Sequence, residues 1–416
     1  MNANRAANQV TCNGRAYNFP KAPTVVICLD GSEPGYIEET IKVGRAPTFD
    51  RFMRNGANLI AESVIPSFTN PNNLSIITGR PPAVHGIAGN YFWDSAAKTE
   101  VMMNDPKFLR APTVLKAFHD AGAKVAMVTA KDKLRLLLSD GLDYSTGRAI
   151  AFSSERADKA TKEANGIDNV LEFVGKPLPE VYSADLSEFV FAAGVKLMET
   201  FRPDVMYLST TDYIQHKVGP GTKIANDFYA MIDGYLDQLD KLGAVIVATA
   251  DHGMNDKHLP DGSPDVIYLE KLFDAWLGKD AARVILPITD PYVKHHGALG
   301  SFATVHVPEG SDIADLLNRL RGIEGVELAL TKAEACERFE LPPDRIGDIV
   351  VLSTKNKVLG TAPEKHDLSS LDEPLRSHGG LSEQRVPMIS NRKVELPAGR
   401  RLRNFDAFDV ALNHVV

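Results

Sequence analysis

The chain has 416 residues, 44% hydrophobic and 24% charged, with a formal net charge of −8, enough for one large α/β domain with an insertion or for two domains. No Lys/Arg block breaks the acidic background, which speaks against a nucleic-acid partner, and no run reaches the roughly 18 apolar residues that cross a membrane. Cys12, Cys28 and Cys336 are odd in number and far apart, fitting neither a disulfide framework nor a zinc knuckle; Met1–Pro20 is polar, unlike a signal peptide, so a cytoplasmic location is expected.

In chain order, the apolar run Thr24–Leu29 closes on Asp30-Gly31 and predicts a buried central strand ending in a turn. Pro47–Asn55 carries Phe49, Phe52 and Met53 at helical spacing. Ala61–Ile65 is strand-like. Ser67–Asn73 is polar and broken by Pro71, which predicts a turn, with a helix beginning at Leu74 and stopping near Gly79. Val114–Ala121 predicts a helix and Lys124–Thr129 a strand. The amphipathic stretches Asp185–Glu199 and Asn226–Lys241 alternate with strands at Val205–Leu208 and Ala244–Ala248. This alternation predicts an α/β fold with a mostly parallel sheet flanked by helices.

The pattern changes after about His258. Arg283–Leu286, Ser301–Val307, Val326–Leu330 and Asp348–Leu352 predict strands, and Ile313–Arg321 and Lys332–Phe339 predict helices. Together they predict a smaller α+β cap over residues 258–374, inserted into a core of residues 1–257 and 375–416. The core resumes near Leu375, before the apolar stretch Val386–Ile389.

Candidate metal ligands lie in four short segments. Asp30 and the pair Asp251-His252 follow strands, where open α/β sheets gather their active-site residues. Asp212 and His216 are four apart, one helical turn, so both can reach one metal; His378 stands in a loop before two glycines. Each segment alone has an ordinary structural reading: a turn, a strand cap, a surface ion pair or a surface histidine. Their combination points to two metals. Mixed oxygen and imidazole donors suit Zn²⁺, or Mn²⁺ or Fe²⁺, better than Mg²⁺. Thr69 is the expected nucleophile: it precedes an apolar helical stretch whose positive end favours an alkoxide and a phosphoryl group, and the ordinary structural role of such a threonine, an N-cap, can coexist with that one.

With these segments quoted, the chain resembles the alkaline phosphatase superfamily, in its nucleotide pyrophosphatase/phosphodiesterase-like branch. The resemblance rests on Val26-Ile27-Cys28-Leu29-Asp30-Gly31, Pro47-Thr48-Phe49-Asp50 and Phe68-Thr69 followed by Asn73 and Ser75-Ile76-Ile77-Thr78-Gly79. It continues through His85-Gly86-Ile87, Asp212-x-x-x-His216, Asp251-His252-Gly253-Met254 and His378-Gly379. It implies one zinc held by Asp212, His216 and His378, a second held by Asp30, Asp251, His252 and Thr69, and Asn90 as a phosphoryl contact. It departs from the commoner diesterase pattern at Thr211 and Gln215. Within the branch, the likeness to phosphonate-cleaving members implies hydrolysis of the C–P bond of phosphonoacetate through a phosphothreonine on Thr69.

Such chemistry needs cations near the substrate carboxylate. Lys131 and Lys133 follow the strand Lys124–Thr129 and are the candidates, with basic cap residues such as Lys294 behind them. The partners expected are a small anionic substrate, no nucleic acid, no membrane, and at most a second copy of the chain in a homodimer. The rival expectations are a phosphodiesterase or nucleotide pyrophosphatase using the same threonine and metals, and a metal-stabilised binding protein without catalysis. His85 and His258 are expected to be structural.

Overall fold

A computed structural model describes residues 9–288, 297–369, 371 and 373–416. The most apolar runs of the chain assemble into a seven-stranded sheet. Its strands, in chain order, are β1 (Thr24–Cys28), β2 (Ala57–Glu62), β3 (Val125–Thr129), β4 (Ala149–Ser153), β5 (Val205–Ser209), β6 (Val245–Thr249) and β7 (Arg385–Ser390). They lie in the order β2-β7-β6-β1-β5-β3-β4. β6, β1, β5, β3 and β4 are parallel to one another, whereas β7 runs antiparallel to both of its neighbours.

Every residue of β1, β3, β4 and β5 is buried. Parallel strands covered on both faces read as continuous apolar runs, which is why most of them stood out in the sequence. Alternate side chains enter two separate cores. Val25 and Ile27 pack with Phe49, Phe189, Val190 and Ile232 on one face, while Val26 and Cys28 pack with Leu74, Ile76, Leu115 and Leu137 on the other. Helices Pro47–Asn55, Asp185–Thr200 and Lys223–Lys241 therefore cover the first face. Thr69–Thr78, Val114–Asp120 and Asp132–Leu138 cover the second.

Three local expectations differ from the structure. The edge strand is Ala57–Glu62, not Ala61–Ile65; it pairs with β7 from Ala57 opposite Ser390 to Glu62 opposite Arg385, and its partial exposure keeps polar residues in it. The predicted turn Ser67–Asn73 contains the start of a helix, Thr69–Thr78. Pro71 fits because it lies in the first turn, where backbone N–H groups have no intrahelical partner. β4 had no counterpart in the sequence reading.

The later segment carries its own four-stranded antiparallel sheet, ordered Arg283–Ile285, Phe302–His306, Ile349–Ser353 and Val326–Thr331. Leu316, Leu320, Phe339, Val305 and Val351 form its apolar cluster, which extends to Ile65 and Phe68 beside Thr69. The smaller unit is thus packed against the entrance to the helix Thr69–Thr78.

Candidate active site

Parallel strands deliver their following residues to one edge of the sheet. Asp30 follows β1, Lys131 follows β3, Asp212 follows β5, and Asp251-His252 follows β6. The structure brings six of the seven sequence-predicted ligands to this edge together with His378, which enters from the two-residue strand Arg376–Ser377 paired to Asn255–Asp256.

Asp212 Oδ2 lies 2.9 Å from His216 Nε2 and 3.7 Å from His378 Nε2. Asp30 Oδ1 lies 3.3 Å from His252 Nε2, Asp251 Oδ2 lies 3.7 Å from it, and Thr69 Oγ1 lies 3.3 Å from the same nitrogen. The two groups touch: the His252 and His378 rings stack with centroids 3.6 Å apart and planes 5° from parallel. Asp212, His252 and His378 form one cluster of metal-compatible atoms, and Asp30, Asp251 and His252 form another. His252 therefore stands between the spheres that the resemblance separates, and His216 joins through Asp212.

The three imidazoles are oriented alike. His216 Nδ1 meets Arg376 O at 2.8 Å, His252 Nδ1 meets Gly253 O at 2.9 Å, and His378 Nδ1 meets Ser67 O at 2.7 Å. A carbonyl only accepts, so each ring donates its Nδ1–H, and the neutral ring turns the Nε2 lone pair into the site. Asp30 Oδ1 is buried without a hydrogen-bond donor. Electron-pair donors thus face one another across a buried space, an arrangement that a divalent cation satisfies and an apolar core does not. The donor set fits the implied metals.

The electrostatics follow. Burial, the Asp251 carboxylate and the Asp212 carboxylate push the Asp30 carboxyl well above its ordinary range, and Lys131 works against them. Burial pushes the His378 imidazole down, consistent with a neutral ring. Asn73, on the helix begun by Thr69, donates to Asp251 Oδ2 at 3.1 Å and accepts from Tyr207 and Ser209, fixing the carboxylate. The loop carrying His378 is pinned by Glu383, which accepts from Gly380 N at 2.9 Å and pairs with the fully buried Lys257 at 3.0 Å.

Thr69 is the first residue of its helix. The N-cap position belongs to Phe68, which makes no side-chain cap. The threonine hydroxyl is therefore turned toward His252, not spent on the helix end. Before it opens a cavity of about 530 Å³, lined by Asp30, Thr69, Asp212, His216 and His378 at one end. Asn90, Lys131 and Lys133 lie on its wall. One Asn90 amide N–H is donated to Ile288 O at 3.0 Å. The Lys131 ammonium sits 5.4 Å from the Tyr182 ring centroid. Lys294 lies outside the described residues.

Glu155, Arg156, Tyr182 and Tyr213 also line the cavity and went unread in the sequence. The available signal was the apolar run of β4, which places the residues after it on the same sheet edge as Lys131. His85 and His258 belong to neither ligand cluster.

His85 is buried as a core histidine. Ile87 N donates to its Nδ1 at 3.2 Å, so the neutral ring donates Nε2–H to Ser75 Oγ at 2.9 Å. A proton added at Nδ1 would meet an N–H. Burial, with the Arg345 charge adding to it, pushes this imidazole down to about 3. Its folded-state pKa is depressed, so its contribution is complete above the ordinary value near 6.5 and is lost as pH falls from there toward 3. In urea unfolding of the metal-free chain, the parent should lose about 2 kcal/mol more than His85→Asn between pH 7 and pH 5. An equal loss in both would refute the assignment.

A family model for type I phosphodiesterase / nucleotide pyrophosphatase matches residues 24–381. The chain is similar to the solved structure of phosphonoacetate hydrolase from Sinorhizobium meliloti 1021 in complex with phosphonoacetate, at 63% identity over 97% of this chain and 98% of that one, with a TM-score of 0.95. The same likeness holds for that hydrolase in complex with phosphonoformate. Among curated relatives, it is 24% identical over 345 residues to ectonucleotide pyrophosphatase/phosphodiesterase 1 of Saccharomyces cerevisiae, covering 74% of this chain and 42% of the relative. It is 63% identical over 30 residues to phosphonoacetate hydrolase of Penicillium oxalicum, covering 7% of this chain and 42% of the relative. The chain thus spans less than half the length of these two curated relatives.

Proposed function

The chain belongs to the type I phosphodiesterase / nucleotide pyrophosphatase family and is a hydrolase, and we propose that it cleaves the C–P bond of phosphonoacetate, giving acetate and phosphate. The observation that carries the reading is the joint placement, on one cavity, of Thr69 with a cluster of buried Asp and His donors and of Lys131 and Lys133 on the wall. The likeness to the Sinorhizobium meliloti hydrolase supports the choice of substrate. In this reading residues 258–374 cap a catalytic core formed by residues 1–257 and 375–416.

Two divalent metals, zinc by the donor set, would be held by Asp212, His216 and His378 and by Asp30, Asp251, His252 and Thr69, and would supply positive charge to the phosphoryl oxygens and acidify the threonine hydroxyl. Thr69 Oγ attacks phosphorus, forming a phosphothreonine. N–H groups in the first turn of the helix Thr69–Thr78 face developing negative charge, and the second Asn90 amide N–H is available to a phosphoryl oxygen. As the C–P bond breaks, its electron pair moves to the methylene carbon and into the adjacent carboxylate. Lys131 and Lys133 stabilise that charge, and water protonates the carbon. A second water hydrolyses the phosphothreonine and restores Thr69.

Phosphate release from phosphonoacetate, phosphonopyruvate, 2-aminoethylphosphonate and a nitrophenyl phosphodiester tests the proposal. Phosphonoacetate should be the preferred substrate of the metal-loaded chain. Preference for the diester would favour a phosphodiesterase, and metal binding without any turnover would favour a binding protein. A charge-assisted contact is worth about 1.5–3 kcal/mol, and one that strengthens as charge develops acts chiefly in the transition state. Lys131→Ala or Lys133→Ala should therefore lower phosphonoacetate turnover roughly tenfold to a hundredfold. The diester, whose leaving group needs no such help, should be largely spared. Equal losses on both substrates would remove the lysines from the mechanism.

A further inference from the structure

The cavity wall beyond the reacting groups carries a third basic residue besides the two lysines. Its described lining holds Lys131, Lys133 and Arg156, against Glu155 as the acid on that side. Glu155 Oε2 accepts from Asp132 N at 2.8 Å.

Arg156 is not an incidental neighbour of the lysines. The β3–β4 pairing continues past its last register pair: Ser154 N donates to Thr129 O at 2.9 Å and Glu155 N donates to Ala130 O at 3.0 Å. With the Glu155–Asp132 bond, this ties the backbone next to Arg156 to the turn bearing Lys131 and Lys133. Arg156 lines the cavity, and among the described residues no hydrogen bond or ion pair engages its guanidinium. A planar guanidinium of this kind is suited to a bidentate carboxylate. The volume of about 530 Å³ lies within the range of roughly 300–1,000 Å³ that holds drug-sized ligands, so a two-carbon phosphonate leaves room for a branch on its methylene carbon.

Building on the phosphonoacetate reading, we propose that the site also hydrolyses phosphonates bearing a second, branching carboxylate, such as 2-phosphonosuccinate, with Arg156 binding the added carboxylate. The chemistry balances as it does for the smaller substrate. The Thr69 Oγ–P bond forms and the C–P bond breaks, its electron pair passing to the α-carbon and the adjacent carboxylate. That carbon takes a proton to give succinate, and water cleaves the phosphothreonine. The sum is 2-phosphonosuccinate plus water to succinate plus phosphate.

The test measures phosphate and succinate release by the metal-loaded full chain for 2-phosphonosuccinate beside phosphonoacetate, in the parent, Arg156→Ala and Arg156→Lys. The parent should turn over both. Arg156→Ala should lower the ratio of kcat/KM for 2-phosphonosuccinate over phosphonoacetate by tenfold or more, mainly through KM, and Arg156→Lys should restore part of it. Turnover of phosphonoacetate without 2-phosphonosuccinate overturns the proposal, and an unchanged ratio in Arg156→Ala overturns the role of Arg156. Failure on both substrates removes the phosphonoacetate reading together with this extension, so the two failures are told apart.

Discussion

Thr69→Ala should lower phosphonoacetate turnover at least about a thousandfold while the chain still folds and still binds substrate, because loss of a nucleophile removes the covalent route outright. The structure favours a clean separation of these effects. Thr69 does not cap its helix, so alanine at the first helical position removes no capping bond. Its hydroxyl is directed at His252 Nε2, 3.3 Å away, and the backbone N–H groups of the first turn are unchanged by the substitution. Rapid acid quench followed by mass spectrometry should find phosphate on Thr69 in the parent and none in the variant, and calorimetry should show substrate binding in both. An active Thr69→Ala, with no phosphorylated residue in the parent, would replace the covalent route by direct attack of water.

His378→Ala should cost metal as well as activity. His378 Nε2 faces Asp212 Oδ2, and its ring stacks on His252, so its loss affects both clusters. Metal affinity should fall by at least about a hundredfold, since even residues that only orient a ligand cost 10–100-fold. Turnover should fall with it by several orders of magnitude. The fold should survive at a modest cost: Ser67 O loses the donor at 2.7 Å, worth about 1–3 kcal/mol. Backbone contacts of the loop, including Ser301 N to His378 O at 2.9 Å and Gly380 N to Glu383, do not depend on the ring. Metal analysis together with thermal unfolding separates the two effects. Two metals per chain and near-parent turnover in the variant would refute the ligand assignment.

Much of this was legible in the chain because local chemistry expressed it. Strands buried on both faces must be apolar along their length, so β1, β3, β5 and β6 stood out, and the acidic and imidazole residues after them broke that apolarity abruptly. Helices Ile313–Arg321 and Lys332–Phe339 kept the boundaries that their periodicity predicts, since each buries a single stripe. Local pattern failed where a contact from elsewhere sets the structure. The start of the helix at Thr69 was hidden by Asn70-Pro71-Asn72-Asn73, whose polarity is used by tertiary bonds: Asn72 accepts from Val64 N at 2.7 Å and Asn73 holds Asp251. The polar edge strand Ala57–Glu62 exists because β7 supplies its partner.

The sequence alone therefore determined which residues are candidates for the chemistry, through side-chain type and their position after apolar runs. Tertiary structure decided how those residues meet. The strand order sets β1 between β6 and β5 and β3 next to β4, and no local signal encodes that order. From it comes the arrival of Glu155 and Arg156 beside Lys131, while the pairing of Arg376–Ser377 with Asn255–Asp256 brings His378 onto His252, and the carbonyls of Arg376, Gly253 and Ser67 set the common direction of the three Nε2 lone pairs. An exposed arginine after a short strand has no periodicity of its own; its neighbours across the sheet are what make it part of a site.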